Sequence, residues 1–91
     1  MEKTKLPAAV AALRVMQEWG VKRIYGLPAG SLNTWMDALY DEQEKMDFIQ
    51  VRHEEVGALA ASMQYKFSEN IGVCLGSGGP GATHLINGIY D

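Results

Sequence analysis

Arg52-His53-Glu54-Glu55 sets a guanidinium, an imidazole and two carboxylates side by side, where an apolar run (Phe48-Ile49-Gln50-Val51) gives way to a segment of very small residues. Open α/β sheets bind ligands at the carboxyl ends of their strands. A carboxylate arriving there is a candidate for proton transfer, because burial raises its pKa toward the working range. Glu54 is that candidate. The competing reading is that Glu54 and Glu55 merely complement a helix dipole, which stabilises by about 0.3–1 kcal/mol and lowers a carboxyl pKa. On the chemical side, Gly57, Ala58, Ala60 and Ala61 pare the following helix almost to backbone. Glycine weakens a helix, so its presence points to close approach by a ligand or another helix.

Two glycine-rich stretches could share the task. Gly76-Ser77-Gly78-Gly79-Pro80-Gly81 formally matches the Gly-x-Gly-x-x-Gly fingerprint of dinucleotide sites. Against a phosphate cradle, Pro80 lacks an N–H, no phosphate-loop lysine follows, and the ribose-binding acid expected about 20 residues later falls beyond the last residue. The stretch reads as a loop that lets backbone approach a flat ligand, with a tight strand-to-helix turn as the alternative. Gly26-Leu27-Pro28-Ala29-Gly30-Ser31 reads either as a βα turn capped by Ser31 or as a backbone lip over a substrate. His53 and His84 read as too isolated for a metal pair and as surface or capping residues, so no metal site is expected.

The elements that must hold these residues follow from periodicity. Leu6, Val10, Leu13, Met16 and Trp19 recur at helical spacing, and Gly20 reads as a left-handed stop. Arg23–Gly26 is a short strand. Ser31 is the expected N-cap of a second helix with Leu32, Met36, Leu39 and Tyr40 on its apolar face. The acidic segment 41–45 is expected as a solvated turn. A strand over Asp47–Val51 leads into a third helix whose expected buried stripe is Val56, Leu59, Ala60, Met63 and Phe67. Ile71–Leu75, apolar on consecutive positions, reads as a strand covered on both faces. A fourth helix runs through Leu85, Ile86 and Ile89, and Trp19 and Trp35 are expected in the core. The order α-β-α-β-α-β-α implies an α/β fold: a parallel sheet with flanking helices, three βα units behind an N-terminal helix. Its three strand ends, Gly26–Ser31, Arg52–Glu55 and Gly76–Gly81, then fall along one rim.

The 91 residues allow one domain at most, and 47% hydrophobic against 21% charged residues is a globular composition. A net charge of −3 offers no basic surface for nucleic acid and no polybasic membrane patch. The single cysteine, Cys74, excludes a disulfide framework and a cysteine metal motif, which suits a reducing compartment. No apolar run reaches membrane-spanning length, and Met1-Glu2-Lys3-Thr4 lacks the apolar core of a signal peptide, so the expected location is the cytoplasm. Three short strands make a thin core, and the last helix reaches Asp91 without a cap. The chain is therefore expected to be part of a longer polypeptide.

The three loops, in this order, resemble the pyrimidine-binding domain of thiamine-diphosphate-dependent enzymes. The resemblance is carried by Tyr25-Gly26-Leu27-Pro28-Ala29-Gly30-Ser31, Met36-Asp37-Ala38-Leu39, Gln50-Val51-Arg52-His53-Glu54-Glu55-Val56-Gly57-Ala58 and residues 76–91. Arg-His-Glu and Gly-Pro-Gly mark the superfamily. The continuations Glu54-Glu55-Val56-Gly57 and His84-Leu85-Ile86-Asn87-Gly88 resemble its pyruvate oxidase branch, beside acetolactate synthases and quinone-dependent pyruvate dehydrogenases. Ala29 departs from the glycine of many relatives and touches the substrate-side lip.

That resemblance implies a role for each loop. The first Glu of the His-Glu step, here Glu54, is expected to hydrogen-bond the aminopyrimidine ring nitrogen and so promote loss of the thiazolium proton. Pro80, Gly81 and His84 are expected to line the pyrimidine, with Gly30 and Ser31 on the substrate side. The implied reaction is oxidative decarboxylation of pyruvate, with phosphate and oxygen, to acetyl phosphate, carbon dioxide and hydrogen peroxide. The implied cofactors are thiamine diphosphate, Mg2+ and FAD, in a homo-oligomer whose active site lies between subunits. Residues 1–91 would be the N-terminal part of the pyrimidine domain, incomplete and inert alone. The domain that holds diphosphate and Mg2+ through a Gly-Asp-Gly…Asn motif, and the flavin domain, would lie outside them. A non-catalytic α/β interaction module, using its Gly/Ala helix only for packing, remains the alternative of another class.

Overall fold

The computed structural model describes residues 7–90. Leu6, expected on the first helical face, and Asp91, in the last matching motif, lie outside the described residues. Helix α1 (Ala8–Glu18) leads to β1 (Arg23–Gly26), and a 3-10 turn (Gly30–Leu32) enters α2 (Asn33–Asp41). Strand β2 (Asp47–Gln50), α3 (Glu54–Ser68), β3 (Cys74–Leu75), α4 (Pro80–Thr83) and α5 (Ile86–Tyr90) complete the order. The sheet is parallel throughout, in the order β2-β1-β3. Successive strands fall on opposite sides of β1, so the chain reverses direction across the sheet at the carboxyl ends of β1 and β3, where α/β sheets form their ligand crevice.

Alternation along β1 divides the helices between the faces. Ile24 joins Val10, Leu13, Ala38, Leu39 and Met46 in the main core, so α1 and α2 cover one face. Tyr25 points the other way, and its hydroxyl donates to Gln64 Oε1 of α3 at 2.9 Å. Trp35 packs against the main core as expected. Trp19 does not: it is 71% exposed. The chain leaves α1 at Glu18, Gly20 adopts φ +91°, and Val21, tied back to the Met16 carbonyl at 3.0 Å, fills the core in its place.

Several boundaries differ from the sequence reading, each for a local reason. Ser31 caps nothing: Leu32 N–H donates to the Ala29 carbonyl at 2.9 Å, closing a 3-10 turn that moves the entry of α2 downstream to Leu32. Tyr40 is exposed on α2 while Leu39 is buried. The acidic turn is not wholly solvated, because Glu42 is buried and accepts from Arg14 and Gln17 of α1. Strand β2 ends at Gln50, although Val51 N–H still donates to the Gly26 carbonyl at 2.9 Å. Pairing of β3 is confined to Cys74 and Leu75, and Ile71 is exposed rather than doubly covered. The fourth helix is broken into α4 and α5 around His84 and Leu85.

Helix α3 turns the expected face around. Its buried residues are Glu54, Gly57, Ala58 and Ala61, whereas Val56, Leu59 and Met63 are exposed and Phe67 is 85% exposed. The cause is α5: Gly88 lies with its backbone directly on Ala58, an approach that only small residues allow. The small-residue face therefore seats a helix, and the larger apolar side chains point outward.

Candidate active site

Helix α3 begins at Glu54 because His53 caps it. His53 is extended (φ −151°, ψ 138°), and its Nδ1 accepts from Glu55 N–H at 3.1 Å, satisfying one of the unpaired donors of the first turn. With the cap supplied by His53, Glu54 is turned inward and is 8% exposed.

Thirty residues further along, His84 occupies the joint between α4 and α5, and its Nδ1 lies 2.9 Å from Glu54 Oε1. Its ring stacks on that of His53, with centroids 4.3 Å apart and planes inclined by 27°. One helical turn later, Asn87 Nδ2 donates to Glu55 Oε2. Two adjacent carboxylates on α3 are thus tied to two side chains three residues apart on the α4–α5 segment, and the contact of Gly88 with Ala58 completes the seam.

The other oxygen of Glu54 faces the glycine loop. A Cβ added at Gly81 would stand 3.2 Å from Glu54 Oε2 and would collide with the Ser77 hydroxyl, so any side chain at Gly81 would fill the space in front of the carboxylate. One oxygen is held by an imidazole and the other looks into a cradle bounded by bare backbone.

The electrostatics correct one expectation. Glu54 is buried, yet its pKa lies below the ordinary carboxylate value, first because of the hydrogen bond with His84 and next because of its own backbone hydrogen bond. Burial raises it by less, and the charges of His84 and His53 lower it further. Glu54 is therefore ionised at neutral pH. An ionised carboxylate only accepts, so the shared proton belongs to His84 Nδ1. By contrast, burial pushes the Cys74 thiol up, which keeps it protonated and unsuited to nucleophilic work.

The cluster brought together is thus His53, Glu54, His84 and Gly81. Gly30, Ser31 and Pro80 are exposed outside it, the first two in the 3-10 turn after β1. The pairing of the histidines and the Glu55–Asn87 bond were not legible from spacing, since each joins α3 or its loop to a segment distant in sequence; the contact of Ser77 with the Gly81 position depends on how the glycine loop folds back on itself. His53 does act as a cap, but the two histidines are not isolated. A cavity of about 620 Å3 opens elsewhere, between α3, β3 and α5, lined by Ala58, Ala61, Tyr65, Cys74 and Gly88. Glu54 does not line it; its cluster occupies the rim of the sheet.

Residues 7–91 match the family model described as the thiamine pyrophosphate enzyme N-terminal TPP-binding domain. The chain belongs to the thiamine pyrophosphate enzymes. It is 52% identical over 90 residues to a pyruvate oxidase of Lactiplantibacillus plantarum, covering 99% of this chain and 15% of that protein. It is 48% identical over 84 residues to the putative thiamine pyrophosphate-containing protein YdaP of Bacillus subtilis, covering 92% and 15%. It is 37% identical over 87 residues to an acetolactate synthase of Mycobacterium bovis, covering 96% and 14%. The chain therefore spans about 15% of the length of the first two of these relatives. The three-stranded parallel sheet with helices on both faces accords with a pyrimidine-side portion of a thiamine pyrophosphate enzyme. Among the described residues no helix is long and apolar enough to cross a membrane.

Proposed function

We propose that this chain is the N-terminal part of the pyrimidine-binding domain of a pyruvate oxidase, in which Glu54 is the catalytic carboxylate. The single observation that carries the reading is the disposition of that carboxylate: buried, ionised, fixed through Oε1 by His84, and open through Oε2 to a cradle that only a glycine at position 81 leaves clear. Such a cradle fits a flat heteroaromatic ring. Thiamine diphosphate, when bound, supplies the nucleophilic carbon and the electron sink for decarboxylating a 2-oxo acid.

The protein's part is to hold a proton. Glu54 Oε2 is the acceptor for an N–H of the pyrimidine ring, and its low pKa keeps it an acceptor at working pH. His84 fixes the carboxylate so that Oε2 faces the ring, and partial exclusion of water strengthens the bond. Pro80, Gly81 and His84 line the pyrimidine, and Gly30 and Ser31 form the lip on the substrate side. Identity to a pyruvate oxidase favours pyruvate as the substrate, with phosphate and oxygen as co-substrates; identity to an acetolactate synthase supports that activity as the second reading.

The remaining parts of the enzyme are proposed to lie in the longer polypeptide: the domain that holds the diphosphate and Mg2+, and the FAD domain. The open position of the Glu54 cluster on the sheet rim, and the exposed apolar face Val56, Leu59, Met63 and Phe67, support a homo-oligomer whose site is closed by a second subunit. The cytoplasm is the proposed location.

The test is Glu54→Gln in the full-length protein. Gln keeps the shape and the His84 contact but has no charge with which to hold the proton. Turnover of pyruvate should fall by about 10²–10⁴-fold with an unchanged circular dichroism spectrum. Wild-type turnover would refute the reading and favour the non-catalytic interaction module.

A further inference from the structure

We propose that His53, Glu54 and His84 form a binding site for a borderline divalent transition metal, for which zinc is the best-fitting ion, in the protein free of cofactor. One ligand atom from each of the three lies within 4.8 Å of the other two. Two imidazoles and one carboxylate are the donor set of open zinc sites, which keep one position for water or substrate. Nitrogen donors favour Zn2+, Ni2+ and Cu2+, whereas Mg2+ and Ca2+ favour oxygen ligands, so this site selects against Mg2+.

Two of the three ligands are already nearly in place, and the third requires His53 to rotate. At zinc distances of about 2.0–2.2 Å, tetrahedral ligand atoms stand roughly 3.3 Å apart. His84 Nδ1 and Glu54 Oε1 are already 2.9 Å apart, so the ion replaces the proton between them and releases it to solvent. His53 supplies the third ligand by turning its exposed ring off its stacking partner. Capture through Nε2 moves the ring proton to Nδ1 and gives up the cap bond from Glu55 N–H. Both imidazoles are exposed and Glu54 is buried, so the ion enters from solvent onto a carboxylate already fixed in place. The neighbouring carboxylate of Glu55, held by Asn87, adds negative charge near the ion without joining its ligands.

An ion in this position takes up Glu54, so zinc should inhibit turnover. That consequence rests on the proposed role of Glu54; the metal site itself does not.

The experiment uses the full-length protein freed of cofactor. Zn2+ is titrated in competition with a chromophoric chelator, and Co2+ is added as a spectroscopic probe for tetrahedral d–d bands, in wild type and in His53→Asn. Asparagine keeps a capping side chain but has no imidazole. Expected is a Zn2+ equivalent that weakens at least tenfold in His53→Asn and in His84→Gln, with cobalt bands lost in both and a hundredfold excess of Mg2+ without effect. Equal zinc affinity in wild type and both variants, or displacement by Mg2+, would overturn the site. Zinc binding that depends on His53 and His84 but leaves turnover untouched would uphold the metal site and count against the role of Glu54.

Discussion

Replacing Gly88 by alanine sets two effects against each other. By helix propensity, Ala in place of Gly in α5 stabilises by about 1 kcal/mol. The new Cβ, however, would collide with the Ala58 Cβ and stand 2.6 Å from the Ala58 carbonyl carbon and 2.9 Å from its Cα, where ordinary contact begins at 3.4 Å. The obstacle is backbone, so no rotamer relieves it. Helix α5 must withdraw from α3 by at least about 0.8 Å to clear the carbonyl carbon, and by more to clear the Ala58 Cβ. Overpacking of this kind destabilises by about 1–3 kcal/mol, so the expected net loss is up to about 2 kcal/mol once propensity is credited. The same withdrawal, carried to His84 at the start of the segment, stretches its 2.9 Å contact with Glu54 Oε1 to about 3.7 Å or more, beyond hydrogen-bonding range. Gly88→Ala should therefore lower the urea midpoint of the full-length protein and weaken thiamine diphosphate binding measured by calorimetry. Gly78→Ala, whose Cβ meets nothing within 4 Å, is the control and should leave stability nearly unchanged. A higher midpoint with unchanged cofactor affinity would show that propensity dominates and that the α3–α5 seam does not position the site.

Two further outcomes are expected. Ser31→Ala should change stability by less than about 0.5 kcal/mol, against the 0.5–2 kcal/mol of a true N-cap, because Ser31 lies within the 3-10 turn and bonds no helix N–H; a urea midpoint shift equivalent to 1 kcal/mol or more would refute that placement. Stability should also fall in acid. Glu42, lowered first by the Gln17 hydrogen bond and then by Arg14, and Glu54, lowered first by the His84 hydrogen bond, both have folded pKa values below the ordinary 4.5. As pH drops, the unfolded chain protonates first, so their contribution is complete above about 4.5 and is lost as pH falls through the folded values. Midpoints measured from pH 7 to pH 3 should decline below that point and decline less in Glu42→Gln; a midpoint that rises on acidification would overturn the assignment.

Much of the outer form of the protein could be read from residue order alone. The alternation of periodic and apolar segments required a parallel sheet, and a parallel sheet places the ends of β1, β2 and β3 on one edge. This is local chemistry: side-chain periodicity, glycine stops and β-branched runs act within a few residues, so strands and helices were legible to within a residue or two at β1 and β2. Glu54 was legible for the same reason, as an acid at a strand-to-helix junction ahead of a segment too small to fill its own side of a core.

The direction in which α3 faces was not legible. Hydrophobicity alone assigned Val56, Leu59, Met63 and Phe67 to the interior, but burial is decided by which partner surface approaches most closely, and Gly88 of α5 reaches the backbone of Ala58 only over the small-residue face. The charge state of Glu54 was settled in the same way. Burial by itself raises a carboxyl pKa, and the largest cause acting against it comes from the return of the chain thirty residues later, which sets His84 Nδ1 2.9 Å from Oε1; the local backbone hydrogen bond of Glu54 adds to it. Sequence thus determined which residues could do chemistry and along which edge they stand. Tertiary structure decided their partners, because a hydrogen bond or a close backbone contact depends on distances that no spacing within one element contains.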